Sequence, residues 1–181
     1  MARHVLLLRG INLGPSRRVP MADLRALLTD AGYEDVATYV QSGNIVLESR
    51  SKPAELESRV ATLISERFGF DVPVCARSAA QLVKVLEHDP IPGAADEPKR
   101  YQVTFLAERA PAAAVKKLEQ LALGSERVAA HGRELYTFHP DGIARSKLAK
   151  ALTAKELGIA ATARNWTTVR TLAEMAFPPS A

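Results

Sequence analysis

Val36-Ala37-Thr38-Tyr39-Val40-Gln41-Ser42-Gly43-Asn44-Ile45-Val46-Leu47-Glu48 is the stretch that decides the fold. Residues 36–41 and 45–48 are rich in β-branched, aromatic and aliphatic side chains, and Ser42-Gly43-Asn44 between them has the composition of a hairpin turn. Upstream, Leu24, Leu27, Leu28 and Ala31 fall at i, i+3, i+4 and i+7. That spacing predicts an amphipathic helix over 21–31, ended by Gly32. Pro15 and Pro20 break the loop before it, and Val5-Leu6-Leu7-Leu8 is apolar on both faces, as a central strand should be. Downstream, Pro53 opens a second helix with Leu56, Val60, Leu63, Ile64 and Phe68 on one face and Gly69 at its end. Residues 72–77 then read as a fourth strand, giving the order βαββαβ.

The same order follows again. Ser78-Ala79-Ala80-Gln81 has a capping-box pattern and starts a short connecting helix. Residues 89–100, rich in proline, glycine and charge, read as a linker. Residues 101–107 form a strand, Pro111 starts a helix, and 127–130 and 134–138 flank His131-Gly132-Arg133 as a hairpin. A helix is expected over 146–157, a short strand over 162–166, and a last helix through Val169, Leu172, Ala173 and Ala176, with a fraying tail after Phe177. The expected architecture is therefore α+β: two tandem ferredoxin-like (α/β-plait) units with antiparallel sheets. Residues 1–88 make the first unit with its connecting helix, 89–100 the linker, and 101–181 the second unit with an extra C-terminal helix. The halves share no obvious identity, so the repeat is one of architecture.

Composition narrows the function classes. The chain has 181 residues and a net charge of +4, unevenly placed. Residues 1–20 hold Arg3, Arg9, Arg17 and Arg18 with no acid, and residues 143–170 hold six basic residues against Glu156 alone. If the two ends meet, they form a patch attractive to anions. Cys75 is the single cysteine, which excludes an internal disulfide and suits a reducing cytoplasm. No apolar run is long enough to span a bilayer, so no membrane partner is expected. His4, His88, His131 and His139 are scattered without metal-ligand spacing. No glycine-rich phosphate loop is present, and no cofactor is expected. Ser146-Lys147 is not a Ser-x-x-Lys motif, and no serine can be given a His–acid partner.

Topology gathers the remaining polar residues. The first two strands of a plait run parallel, which places Arg9-Gly10-Ile11-Asn12 beside Gln41-Ser42-Gly43-Asn44, with Arg17 and Arg18 in the following loop. In the second half, Ser146-Lys147 and Arg164-Asn165-Trp166 share one sheet end for the same reason, each at a helix start where unpaired N–H groups favour anions. Turn, capping and core roles compete at every one of these positions. Lys147 and Arg164 are harder to explain structurally, since helix N-termini disfavour cations.

At these segments the chain resembles a known family. Leu8-Arg9-Gly10-Ile11-Asn12, Met21-Ala22-Asp23-Leu24, Thr38-Tyr39-Val40-Gln41-Ser42-Gly43-Asn44, Ser146-Lys147-Leu148 and Thr162-Ala163-Arg164-Asn165-Trp166-Thr167-Thr168-Val169 are similar to the signature of the bacterial domain of unknown function 1697 family. The resemblance covers nearly the whole chain and implies a duplicated α/β plait; it implies no established activity. Residues 14–18 depart from the more glycine- and lysine-rich loop expected there.

The leading functional expectation is noncatalytic binding of a phosphate-bearing ligand, a nucleotide or other small phosphorylated molecule, at a basic site between the halves. Arg9, Asn12, Ser42, Asn44, Ser146, Lys147, Arg164, Asn165 and Trp166 are the ligand-binding candidates. A nucleic acid ranks below a small ligand because few aromatics are available for stacking. Two alternatives stay open: an enzyme on a phosphorylated or carboxylated metabolite, with Lys147 or Arg164 stabilising developing charge, and a structural clasp. Oligomeric state is not legible in the sequence.

Overall fold

Two four-stranded antiparallel sheets, each in the strand order of a ferredoxin-like plait, make up the protein. The computed structural model describes residues 1–177, so the tail beyond Phe177 lies outside the described residues. The first unit runs β1 (Ala2–Leu8), α1 (Met21–Asp30), β2 (Glu34–Tyr39), β3 (Asn44–Ser49), α2 (Pro53–Phe68) and β4 (Val74–Ser78), followed by α3 (Ala79–His88). A 3-10 turn (Ala94–Asp96) precedes the second unit, which runs β5 (Tyr101–Leu106), α4 (Ala112–Leu121), β6 (Arg127–His131), β7 (Glu134–Phe138), α5 (Lys147–Ala151), α6 (Ala154–Leu157) and β8 (Ala161–Asn165), followed by α7 (Trp166–Ala176). By compactness the chain divides into Met1–Val83 with the stretch from Leu172, and Lys84–Thr171. The divisions fall inside α3 and α7.

The sheet orders are β2-β3-β1-β4 and β6-β7-β5-β8. In the first unit Leu6, Leu8, Ile45, Leu47 and Ala76 face the apolar sides of α1 and α2, where Leu24, Leu28, Leu56, Val60 and Ile64 are fully buried. Alternation along the strands sends Val5, Leu7, Val46 and Cys75 to the opposite face. These are also buried, which is why β1 has to be apolar on both sides. The second sheet follows suit: Leu106 and Leu135 face α4 and α5, while Val103, Phe105 and Tyr136 point the other way and are equally buried.

The register makes the duplication explicit. Leu8 N–H donates to Gly43 O at 2.8 Å, and Leu106 N–H donates to Arg133 O at 2.9 Å. Val5 pairs with Arg77 in the first unit, and Val103 pairs with Arg164 in the second. Each of these arginines turns its guanidinium back onto the preceding carbonyl, Ala76 O or Ala163 O, both at 2.8 Å. The next residue caps the following helix in each case. Ser78 and Gln81 close a reciprocal capping box onto α3, and Asn165 accepts from Thr168 N–H at the start of α7.

The structure refines two local readings. The helix expected over 146–157 is two short helices. Thr153 accepts from Glu156 and Leu157 N–H and restarts the chain as α6, because a threonine hydroxyl and carbonyl compete well for helix-start donors. The 89–100 stretch carries a 3-10 turn and buries Ile91 and Ala94. Tyr101 donates to the Asp89 carboxylate at 2.9 Å, and Trp166 N–H donates to Pro98 O at 3.1 Å.

Candidate functional site

The first unit builds its polar sheet end from three segments: the loop after β1, the β2–β3 turn, and the approach to β4. Asn12 ties the first two together. Its amide donates to Val19 O at 3.0 Å and to Gln41 O at 2.8 Å, and its side-chain oxygen accepts from Val19 N–H at 2.9 Å. Its own N–H reaches Arg17 O at 2.9 Å, closing the loop on itself. Arg9 N–H donates to Pro73 O, and the Arg17 guanidinium donates to Asp71 O while lying 5.2 Å from the Phe70 ring. Asn44, fully buried, donates to Tyr39 O and Ser42 Oγ and so shapes the turn from below.

Two backbone features mark this corner. Gly43 has φ +73°, and a Cβ there would sit 2.5 Å from Leu8 Cβ and 2.8 Å from Ile11 Cδ1. Only glycine lets the turn lie against β1. Asn12 at φ 55° and Val40 at φ 51° also occupy the left-handed region. For asparagine this is tolerated; for a β-branched valine it is strained. Val40 is 53% exposed and Leu13 is 88% exposed, so neither is held there by burial in a core.

The charge at this corner is basic. Among the described residues Arg9, Arg17 and Arg18 form no salt bridge with any carboxylate. The neighbouring Asp71 carboxylate accepts instead from Ser65 Oγ at 2.9 Å. The structure therefore brings Arg9, Asn12, Ser42 and Asn44 to one sheet end, with Asn12 and Asn44 engaged in holding the backbone. Arg17 and Arg18 belong to the same corner.

The second unit uses its candidates differently. Ser146 accepts from Ala149 N–H at 2.9 Å as the cap of α5 and donates to the Glu126 carboxylate. The same Glu126 oxygen contacts His139 Nδ1 at 3.0 Å, and His139 Nε2 meets Thr137 Oγ1 at 3.1 Å. Sequence reasoning found no acid or histidine for Ser146, because Glu126 and His139 reach it only through the β6–β7 pairing. The order is not that of a hydrolase: the carboxylate sits between serine and imidazole, so the imidazole cannot take the serine proton. Burial pushes the Glu126 carboxyl up, but bonds from Ser146, His139 and the Leu123 N–H outweigh it, and the net shift is downward.

Lys147 is exposed and opens a five-residue helix with little dipole to oppose it. Arg164 turns away from α7, onto Thr162 Oγ1 and Ala163 O. Asn165 caps α7. Trp166 is buried and stacks on Tyr101 with ring centroids 4.6 Å apart. β7 and β8 both pair antiparallel to β5 and so end on the same side of the sheet; Arg164 lies inside β8, and Lys147 comes after the loop that follows β7.

No group of three or more metal-ligating side chains occurs among the described residues, and no helix there is long and apolar enough to cross a membrane. Paired four-stranded plaits, the first bearing an elaborated basic corner, define a class of duplicated α/β-plait proteins. A family model described as "Protein of unknown function (DUF1697)" matches residues 1–136, and the chain belongs to that family. Its fold is similar to that of the conserved bacterial protein SP0830 from Streptococcus pneumoniae, with a TM-score of 0.77 and 26% sequence identity over 97% of this chain and 98% of the other. No protein with curated annotation matches the chain.

Proposed function

We propose that the protein binds an anionic, phosphate-bearing ligand, without catalysis, at the corner formed by residues 9–18 and 40–43 of the first unit. The observation that carries this reading is a set of arginines, Arg9, Arg17 and Arg18, on a backbone held by Asn12 and Asn44 with no carboxylate paired to them. Guanidinium groups displayed on a fixed frame suit phosphate oxygens. Strain stored at exposed Val40 is the kind found where backbone geometry serves binding. A reducing cytoplasmic setting, in keeping with the single buried Cys75, goes with this reading.

A small phosphorylated ligand is favoured over nucleic acid. Plaits that bind single strands do so with aromatics on an open sheet face. Here Val5, Leu7, Val46, Val103, Phe105 and Tyr136, on the faces away from the plait helices, are all buried. Titration calorimetry with inorganic phosphate and a nucleoside triphosphate, beside anisotropy with a labelled single-stranded RNA at low and raised salt, tests the proposal. The expected result is saturable binding of a small phosphate compound that is lost in an Arg9→Gln/Arg17→Gln/Arg18→Gln variant of unchanged stability. Binding that survives this triple substitution, or no binding of either small probe, overturns it. RNA binding with a steep salt slope would transfer the site to nucleic acid.

A further inference from the structure

The opposite end of the first sheet carries a second polar hollow, which no part of the reading above uses. Gly32, at φ +88°, ends α1, and Tyr33 N–H closes back onto Leu28 O at 3.2 Å. That turn delivers the Tyr33 side chain into the unit, where it is only 7% exposed. Its hydroxyl is sealed from solvent, makes no well-formed hydrogen bond, and has the Arg59 guanidinium as its polar neighbour. The ring nitrogens of His4, 3% exposed on β1, likewise make no well-formed hydrogen bond, with the Ser49 backbone as their polar neighbour. His4 lies near the start of β1, on the face that carries Leu6 and Leu8, and β2 starts just after Tyr33; because β1 and β2 are parallel, both groups belong to one end of the sheet. Buried polar groups are almost always well paired, so two loosely paired ones at one sheet end call for an explanation.

Tyr33 lines a hollow of about 380 Å³ together with Glu34, Ser49, Arg50, Ser51 and Arg59. That volume falls within the range of about 300–1,000 Å³ typical of small-molecule sites. Arg59, on α2, and Arg50, after β3, are both exposed and form no ion pair among the described residues. Ser49 accepts from Ser51 N–H at 3.1 Å, which leaves its hydroxyl proton to donate. Glu34 supplies the one carboxylate of the lining, against two guanidiniums.

We propose that this hollow is a second binding site, for a small molecule carrying a carboxylate or phosphate group, gripped by the Arg59 and Arg50 guanidiniums, with the buried Tyr33 hydroxyl positioning Arg59. The guanidiniums supply paired N–H donors matched to an oxyanion, and the tyrosine hydroxyl, as the polar neighbour of Arg59, fixes where that guanidinium lies. Burial raises the Tyr33 phenol above its ordinary value, with the Arg59 guanidinium pulling the other way, so the hydroxyl keeps its proton at neutral pH. The site is independent of the arginine loop: it lies at the other end of the strands and uses none of its residues.

The test is NMR on the full chain, reading the Arg side-chain N–H and Tyr ring signals during separate titrations with inorganic phosphate and succinate. The Arg59 signal is expected to shift saturably with at least one of them, and whichever does so identifies the group. Tyr33→Phe should weaken that binding about tenfold, through loss of the contact that positions Arg59, while leaving the melting temperature unchanged or higher, because the hydroxyl is buried without a well-formed hydrogen bond. Arg59→Gln should abolish saturation, and Arg18→Gln should leave it intact. No saturable shift at Arg59 up to about 10 mM of either anion, or wild-type affinity in Tyr33→Phe, overturns the proposal. Loss of the Arg59 response in Arg18→Gln would overturn it too, by assigning the signal to the loop at the other end.

Discussion

The corner after β1 and the corner after β5 occupy the same place in the two plaits, yet they are built to different ends. Each is pinned by the same hydrogen bond, Leu8 N–H to Gly43 O and Leu106 N–H to Arg133 O. From there the first unit takes residues 9–20 to reach α1, whereas the second takes only residues 107–111 to reach α4. The plait closes with the short connection, so the length of the first is not a requirement of the fold. What fills it is three arginines, an exposed leucine and a clasping asparagine. The three non-glycine residues with positive φ among those described, Asn12, Asp35 and Val40, all belong to the first unit. The second unit, with no such strain, spends its polar side chains on caps and on the Ser146–Glu126–His139 network. Long or strained connections are where binding is expected to reside.

The sharpest way to break this comparison is at the turn glycines. Gly43→Ala must push its Cβ into Leu8 and Ile11 from a left-handed backbone, and should cost about 3 kcal/mol in chemical denaturation. Gly132→Ala, in the matching turn, meets only Glu134 Oε2 at 3.4 Å and should cost about 1 kcal/mol. Equal costs would mean that the first turn is not packed against its strand. Next in size, Asn12→Ala removes three side-chain hydrogen bonds, two across the loop to Val19 and one from the loop to the turn at Gln41. It should cost about 2 kcal/mol, and it should raise amide exchange over residues 10–19 and 40–43 ahead of the rest of the unit.

A smaller effect probes the second unit. The Glu126 carboxyl lies below its ordinary value of 4.5 in the folded protein. Its ionised form therefore adds stability above that pH, and the contribution is lost as the pH falls through the depressed folded value. Glu126→Gln should lower stability at pH 7 by about 1 kcal/mol and flatten the acid limb of the stability curve below pH 4.5. An unchanged acid limb would remove the carboxylate from the network. The smallest effect carries the opposite sign. Val40→Gly relieves the strained turn, less the entropic cost of a glycine, and should stabilise the protein by about 0.5 kcal/mol. A loss of stability would show that the valine packs against something the comparison leaves out.

Much of this was legible in the chain itself. The 3.6-residue spacing of Leu24, Leu27 and Leu28, the doubly apolar Val5–Leu8 run and the Ser42-Gly43-Asn44 turn are local patterns, and local patterns specify helices, strands and turns with no knowledge of distant partners. The capping box of Ser78 and Gln81 spans one helical turn and formed as the residues suggested. The repetition of βαββαβ was also readable, because it is an order of such patterns.

The side-chain partners were not. Whether Asn12 meets a ligand or Gln41 O, whether Ser146 stands alone or meets Glu126 and His139, and whether Trp166 stacks on Tyr101 depend on which residues the sheet register sets side by side, from positions far apart in the chain. The equivalence of Arg77 and Arg164 was hidden in the same way, since it lies in the pairing to Val5 and Val103 and not in any shared motif. Tyr33 and Arg59 carry no local pattern in the sequence that sets them apart. The elements and their order came from short-range sterics and periodic burial written in the chain; which polar groups meet which partners came from the fold, because hydrogen bonds are short-ranged and their partners lie far apart in the sequence.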